Sequence, residues 1–278
     1  MKRFLSIFLI LCISLMMVSC KKETYTYGVF LGADPEDMDD MMSYSTVVID
    51  AQYFSSSEID ELKSSGHRVF SYINLGSVEE FRDYYEDWEY LSLGVYENWE
   101  DERWVDVSDP SWQTFICDIA SDLLSKGVDG LFVDNVDVYY NYPTEEIFSG
   151  VASILKSFQS MDTYVSINGG DFFMTEYATR YGNMTDVADA INQETVFSCI
   201  NWDEDTFGTN TSSETRYFKE YVESASSYGL DIYLLEYTTD EDLIEQISIY
   251  CARMGFTYYA SDSLDLVTPG QEAGSQPV

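Results

Sequence analysis

Residues 129–140 read DGLFVDNVDVYY. An apolar run climbs to Asp134, and Asp137 follows three residues later. An ionised carboxylate beside a core is costly unless it is paired or used. The pattern recurs along the chain. Asp50 closes VVID, Asn74 closes FSYIN, Asn168 closes YVSIN, Glu194 closes AINQE, Glu236 closes YLLE, and Asp262 follows YYAS. A set of carboxylates and amides of this kind suits hydrolysis of a glycosidic bond. That reaction needs two carboxyl groups on opposite sides of the bond, one ionised and one protonated. Two nearby anions resist coexisting, which separates their pKa values. Amides and aromatics can then hold hydroxyls and stack on sugar faces.

These residues need elements that bring them to one rim. One unit repeats: helix, glycine, short gap, apolar strand. SSSEIDELKSSG leads into HRVFSYINLG, DPSWQTFICDIASDLLSKG into VDGLFVDN, SSETRYFKEYVESASSYG into LDIYLLEYT, and DEDLIEQISIYCARMG into FTYYASD. Each helix begins at a capping residue and stops at Gly66, Gly127, Gly229 or Gly255. Strands are expected over about 25–31, 46–50, 68–74, 130–134, 164–168, 190–194, 232–236 and 257–261. Strand–helix alternation implies a parallel sheet, and eight units in this length point to a single-domain α/β (β/α)8 TIM barrel. In such barrels the active site lies at the C-terminal ends of the strands. The longest insertion, 77–108, follows the third strand and holds Trp88, Trp99, Trp104, Tyr84, Tyr85, Tyr90 and Tyr96. Its first part is expected to be a barrel helix and the rest an elaborated loop on the catalytic face.

The chain has 278 residues, 50 acidic against 14 basic, for a net charge of −36. That excludes a nucleic-acid partner, which needs a basic footprint, and favours a cationic or neutral one. There is no GxGxxG after the first strand and no GxxxxGK[ST], so no nucleotide cofactor is implied. The single histidine, His67, rules out a Ser-His-Asp triad and an HExxH zinc site, and reads as structural. The acidic stretch ADPEDMDD lacks the glycine and terminal glutamate of a calcium loop, so no metal is expected.

The N-terminus sets the expected compartment. Lys2 and Arg3 precede a short apolar stretch, and Met17-Val18-Ser19-Cys20 resembles a bacterial lipobox. Residues 1–19 are expected to be a lipoprotein signal peptide, Cys20 the lipidated residue and 20–26 a tether. The barrel domain is placed at 27–265 and a disordered tail at 266–278. A lipid anchor means attachment to a membrane at the cell surface or periplasm, with no span. Cys117, Cys199 and Cys251 form neither a disulfide framework nor a metal pair.

Three pieces carry a resemblance: VVIDAQYFSSSEIDELKSSGHRVFSYINLGSVEEFR, ERWVDVSDPSWQ and GVDGLFVDNVDVY. Over roughly residues 27–262 the chain resembles glycoside hydrolase family 114, whose characterised members are endo-α-1,4-polygalactosaminidases with a TIM-barrel fold. Gly76-Ser77, Glu79 and Arg82 fall in the family's order. The resemblance implies that Asp134 is the nucleophile and that Glu194, at the sixth strand end, is the acid/base. Glu236 stands in reserve for the second role. Asp50 and Asp137 are assigned to substrate binding, with Tyr72, Asn74, Glu79, Arg82, Arg103, Trp104, Tyr139, Asn168, Glu236 and Asp262. The implied partner is a polysaccharide, a cationic amino-sugar polymer, which gives the acidic charge a meaning. Two other readings stay open: a surface lipoprotein that binds glycans without cutting them, and a glycosidase acting on another amino-sugar polymer.

Overall fold

Eight parallel strands form one sheet in a computed structural model that describes residues 25–270. They are β1 (Tyr25–Phe30), β2 (Tyr44–Ile49), β3 (Arg68–Asn74), β4 (Gly130–Asp134), β5 (Tyr164–Asn168), β6 (Ala190–Glu194), β7 (Asp231–Tyr237) and β8 (Thr257–Ser261). Each strand pairs with the next in sequence. β1 meets β8 across the remaining seam, where the rings of Phe30 and Tyr44 pack on Tyr259. The result is a nearly closed (β/α)8 barrel. Its strands are apolar on both faces because the lumen and the outer helices both cover them; Val47, Val48, Ile49, Leu131, Phe132 and Val133 have no exposed surface.

The outer helices start and stop where the chain chemistry dictates. Ser55 and Thr211 each form a capping box, with Glu58 and Glu214. Asp109 caps the helix Pro110–Ser125, with a proline in its first turn. Gly66, Gly127, Gly229 and Gly255 all have positive φ, the left-handed exit that glycine takes without steric cost. The acidic stretch at 33–40 is also a cap: the side chain of Asp34 accepts from Glu36 N at 2.7 Å, and Asp37 accepts from Asp34 N at 3.0 Å.

The insertion after β3 departs from expectation. It holds no barrel helix at its start. Instead Ser77–Glu79, Ser92–Tyr96 and Trp99–Val105 form a three-stranded antiparallel sheet, and the barrel helix of this unit is Pro110–Ser125. The helix-like spacing is overridden by tertiary contact. A Cβ on Gly76 would lie 1.9 Å from the Asn135 carbonyl oxygen, and Val78 is fully buried. A second insertion, unforeseen, follows β6: the antiparallel hairpin Ser198–Asn201 and Thr206–Thr209. At the C-terminus the described part of the expected tail packs on the barrel. Leu266 is buried, and the Tyr259 hydroxyl donates to Thr268 O at 3.1 Å. The expected signal peptide, the expected lipidation site Cys20, the start of the expected tether and residues 271–278 lie outside the described residues. Among the described residues no helix is long and apolar enough to cross a membrane.

Candidate active site

Asp134 ends β4, Asn168 ends β5 and Glu194 ends β6, so three neighbouring strands deliver them side by side. One nitrogen joins them. Asn168 Nδ2 donates to Asp134 Oδ1 at 3.0 Å and to Glu194 Oε1 at 2.7 Å. Its Oδ1 accepts from Asn192 Nδ2 at 2.7 Å, and Asn192 Oδ1 accepts from the Tyr27 hydroxyl at 3.0 Å. Two carboxylate acceptors on the rim side call for the Asn168 nitrogen there, and its oxygen takes the Asn192 amide on the lumen side. The two bonds laid end to end put one oxygen of each carboxylate at most about 6 Å from the other, closer than the ~6.5–9.5 Å separation of inverting glycosidases.

Both carboxylates are half-buried and open into a cavity of about 1140 Å³. Each is followed by a residue in the left-handed region, Asn135 at φ 60° and Thr195 at φ 52°. The chain must leave the strand sharply there, so the carboxylate stays on the rim. Asparagine adopts this conformation with little cost, whereas a β-branched threonine is strained. Bonds on either side hold the strained residue. Thr195 N donates to Leu235 O at 2.9 Å, and Asn210 Nδ2 donates to Thr195 O at 2.6 Å.

Burial, followed by the charge of Asp134, raises Glu194 to about 7. Burial also raises Asp134 above its ordinary value, and the Asn168 amide and the Asn135 N–H act against that rise. Glu194 is thus placed to carry a proton near neutrality, beside the carboxyl of Asp134. Burial is the main reason that Asp137 rises to about 7 and Glu102 to about 8; neighbouring carboxylates add to it.

Stability should therefore fall as pH rises. In the unfolded chain these carboxyls ionise near their ordinary values, while the native state still holds their protons. The loss accumulates from about pH 4 to about pH 8 and is complete above the raised values. Thermal unfolding is expected to show a higher Tm at pH 5 than at pH 8; an equal or higher Tm at pH 8 would contradict the burial of these groups.

A second knot lines the cavity beside the pair. Arg82 Nη1 donates to Asp50 Oδ2 at 2.7 Å, and its Nη2 and Nε donate to the two oxygens of Glu79 at 3.1 and 3.2 Å. All three side chains are at most 5% exposed. The Tyr72 hydroxyl donates to Glu79 Oε1 at 3.2 Å. Asp137 lies near the pair and accepts from Gly170 N at 3.2 Å. The cavity thus gathers Asp134, Glu194, Asp50, Tyr72, Glu79, Arg82, Asp137 and Asn168.

Other expected residues lie elsewhere. Asn74 sits behind the wall, bonded to Ser77 and to Asn135. Arg103 serves its own insertion, donating to the carbonyls of Glu100 and Glu102 and to Glu80 Oε1. Trp104 is buried against Tyr96, with ring centroids 4.2 Å apart, and Tyr139 packs on Phe148 in the core. Asp262 is exposed just beyond the end of β8 and is not among the residues lining the cavity. Glu236 is fully buried and faces a loop: it accepts from Phe197 N at 3.1 Å, Ser198 N at 2.8 Å and Ser198 Oγ at 2.7 Å. It anchors the root of the second insertion and, with no exposed surface, is not placed to reach a substrate. His67 Nδ1 lies 2.5 Å from Tyr44 O, a structural bond away from the cavity.

The wall also holds residues not foreseen: Glu102, Asp101, Tyr96, Trp99, Trp202 and Tyr237. Most come from the insertions, where the crowding of aromatics and acids was the visible signal. Tyr237 bonds to Glu194. Among the lining residues eleven are carboxylates and one, Arg82, is basic.

A (β/α)8 barrel with two carboxylates bridged at its C-terminal rim has the architecture of a glycoside hydrolase. The chain belongs to glycoside-hydrolase family GH114, whose sequence model matches residues 17–260. Solved structures share the fold. The glycoside hydrolase domain of PelA from Pseudomonas aeruginosa has a TM-score of 0.75 at 18% identity, over 88% of this chain and 97% of that one. Aspergillus fumigatus Ega3, in complex with galactosamine, has a TM-score of 0.69 at 14% identity, over 90% of this chain and 94% of that one. An α-galactosidase from Thermus thermophilus has a TM-score of 0.57 at 9% identity, over 88% of this chain and 59% of that one. No curated protein matches the sequence.

Proposed function

We propose that this glycoside hydrolase cleaves α-1,4-linked galactosamine polymers, with Asp134 as nucleophile and Glu194 as acid/base. The observation that carries the reading is the shared Asn168 nitrogen, which bonds to both carboxylates and keeps them close together at the rim. Asp134 attacks the anomeric carbon while Glu194 gives its proton to the leaving oxygen. The resulting glycosyl-enzyme is opened by water, which returns a proton to Glu194 and frees Asp134. The acidic wall supports a cationic, deacetylated substrate, and the galactosamine bound to Ega3 supports the choice of sugar. Export as a lipoprotein anchored at Cys20 is supported by the sequence of residues 1–20.

The test is release of reducing ends from partly deacetylated polygalactosamine. A bell-shaped rate is expected. Its basic limb falls as pH rises through about 7, where Glu194 loses its proton. Its acidic limb lies above the ordinary aspartate value, where Asp134 is neutralised. Asn168→Ala removes a donor that stabilises both anions, so both limbs should move to higher pH. No release from this polymer would end the galactosamine reading, and limbs unmoved by Asn168→Ala would end the role given to its amide.

A further inference from the structure

The two insertions meet over the cavity. Trp99 stands at the turn between Ser92–Tyr96 and Trp99–Val105, and Trp202 at the turn between Ser198–Asn201 and Thr206–Thr209. Their indoles touch edge to face, with centroids 5.9 Å apart and planes at 77°. Both line the cavity that holds Asp134 and Glu194, yet they remain 41% and 42% exposed. A contact that served folding alone would bury both rings further. Here two hairpins from distant parts of the chain converge to hold aromatic surface open to solvent at the cavity wall.

A second observation points to a ligand in the same cavity. Gln193, 5% exposed, uses its Nε2 to donate to Glu194 O at 2.9 Å. Its Oε1 is buried without a donor, although the residue lines the cavity. An unmet acceptor of this kind is costly unless an incoming group supplies a hydrogen. Hydroxyls and ammonium groups of an amino sugar supply one.

We propose that Trp99 and Trp202 form an aromatic subsite that binds amino-sugar units of the polymer away from the bond being cut. This rests on the reading of the cavity as a glycosidase site. The apolar face of a pyranose ring stacks on an indole, and an ammonium group over the same face gains from the ring quadrupole. The carboxylate-rich wall favours that cation, since its one basic side chain, Arg82, is tied to Asp50 and Glu79. The subsite is continuous with the catalytic pair, so one chain can occupy both.

The test compares the parent with Trp99→Ala/Trp202→Ala on two α-1,4-linked galactosamine oligomers: the shortest that is cut, and one several units longer. The double variant should lose about tenfold in kcat/KM on the long oligomer and little on the short one. Trp99→Phe/Trp202→Phe should recover most of the loss. An equal loss on both oligomers, or none on the long one, overturns the subsite. Failure of the parent to cut any galactosamine oligomer overturns the galactosamine reading instead. The subsite is then judged by indole fluorescence, titrating Asp134→Asn protein with the long oligomer. Quenching that disappears in Asp134→Asn/Trp99→Ala/Trp202→Ala supports it, and unchanged or absent quenching overturns it.

Discussion

Asp134→Asn is expected to lower turnover at least about a thousandfold while the protein stays folded. The substitution keeps the size of the side chain and an oxygen that can accept from Asn168 Nδ2, so the rim geometry survives. It removes the anion that attacks the anomeric carbon. It also removes the charge that helps raise Glu194, so any residual activity should lose its basic limb at lower pH than the parent. Reducing-end release under identical conditions measures the first effect, and circular dichroism with thermal unfolding checks the fold. Residual activity within tenfold of the parent would remove Asp134 from the role of nucleophile.

Arg82→Leu is expected to cost about 3–5 kcal/mol of stability, the penalty of breaking a buried ion pair from one side. The guanidinium pairs with Asp50 and Glu79 together, at 2.7 and 3.1 Å, and none of the three side chains is more than 5% exposed. The ring of Phe81 also packs against it, 4.9 Å from the guanidinium carbon. Without it, two buried carboxylates face each other across a hole. Urea unfolding reads the loss, and Arg82→Leu/Asp50→Asn/Glu79→Gln should regain part of it by removing the orphaned charges. A loss below about 1 kcal/mol would mean that water already screens the triad.

The barrel was legible because its signals are local. Helix caps at Ser55 and Asp109, and glycines at the helix ends, mark each unit, and buried parallel strands read as plain apolar runs. The polar residue closing each run marked the rim, which is how Asp134, Asn168 and Glu194 could be named together. What stayed hidden depends on contacts distant in sequence. Glu236 closes its strand like the others, but the loop 196–198 folds over it and takes both oxygens. Trp104 and Tyr139 have the chemistry of sugar platforms, and packing decides that they are core. The strand at Ser77–Glu79 follows from the close approach of Gly76 to Asn135, 59 positions further along the chain. Trp202 lies in a hairpin whose short acidic turn, WDEDT, resembles any loop.

The bridge between the two carboxylates also bears on how the enzyme ages. Asn168 precedes Gly169, the pairing in which an asparagine most readily cyclises and loses its amide, because glycine leaves the attacking backbone nitrogen unobstructed. In the folded barrel that nitrogen is occupied, donating to Asn192 O at 2.8 Å, and both ends of the amide are bonded as well. Unfolding releases all of them at once. The product, an aspartate or isoaspartate at position 168, would set a third negative charge between Asp134 and Glu194 and remove the donor they share. The hydrogen bonds that orient the catalytic pair are thus also its protection against chemical decay. Molecules that spend time unfolded accumulate a lesion that refolding cannot repair.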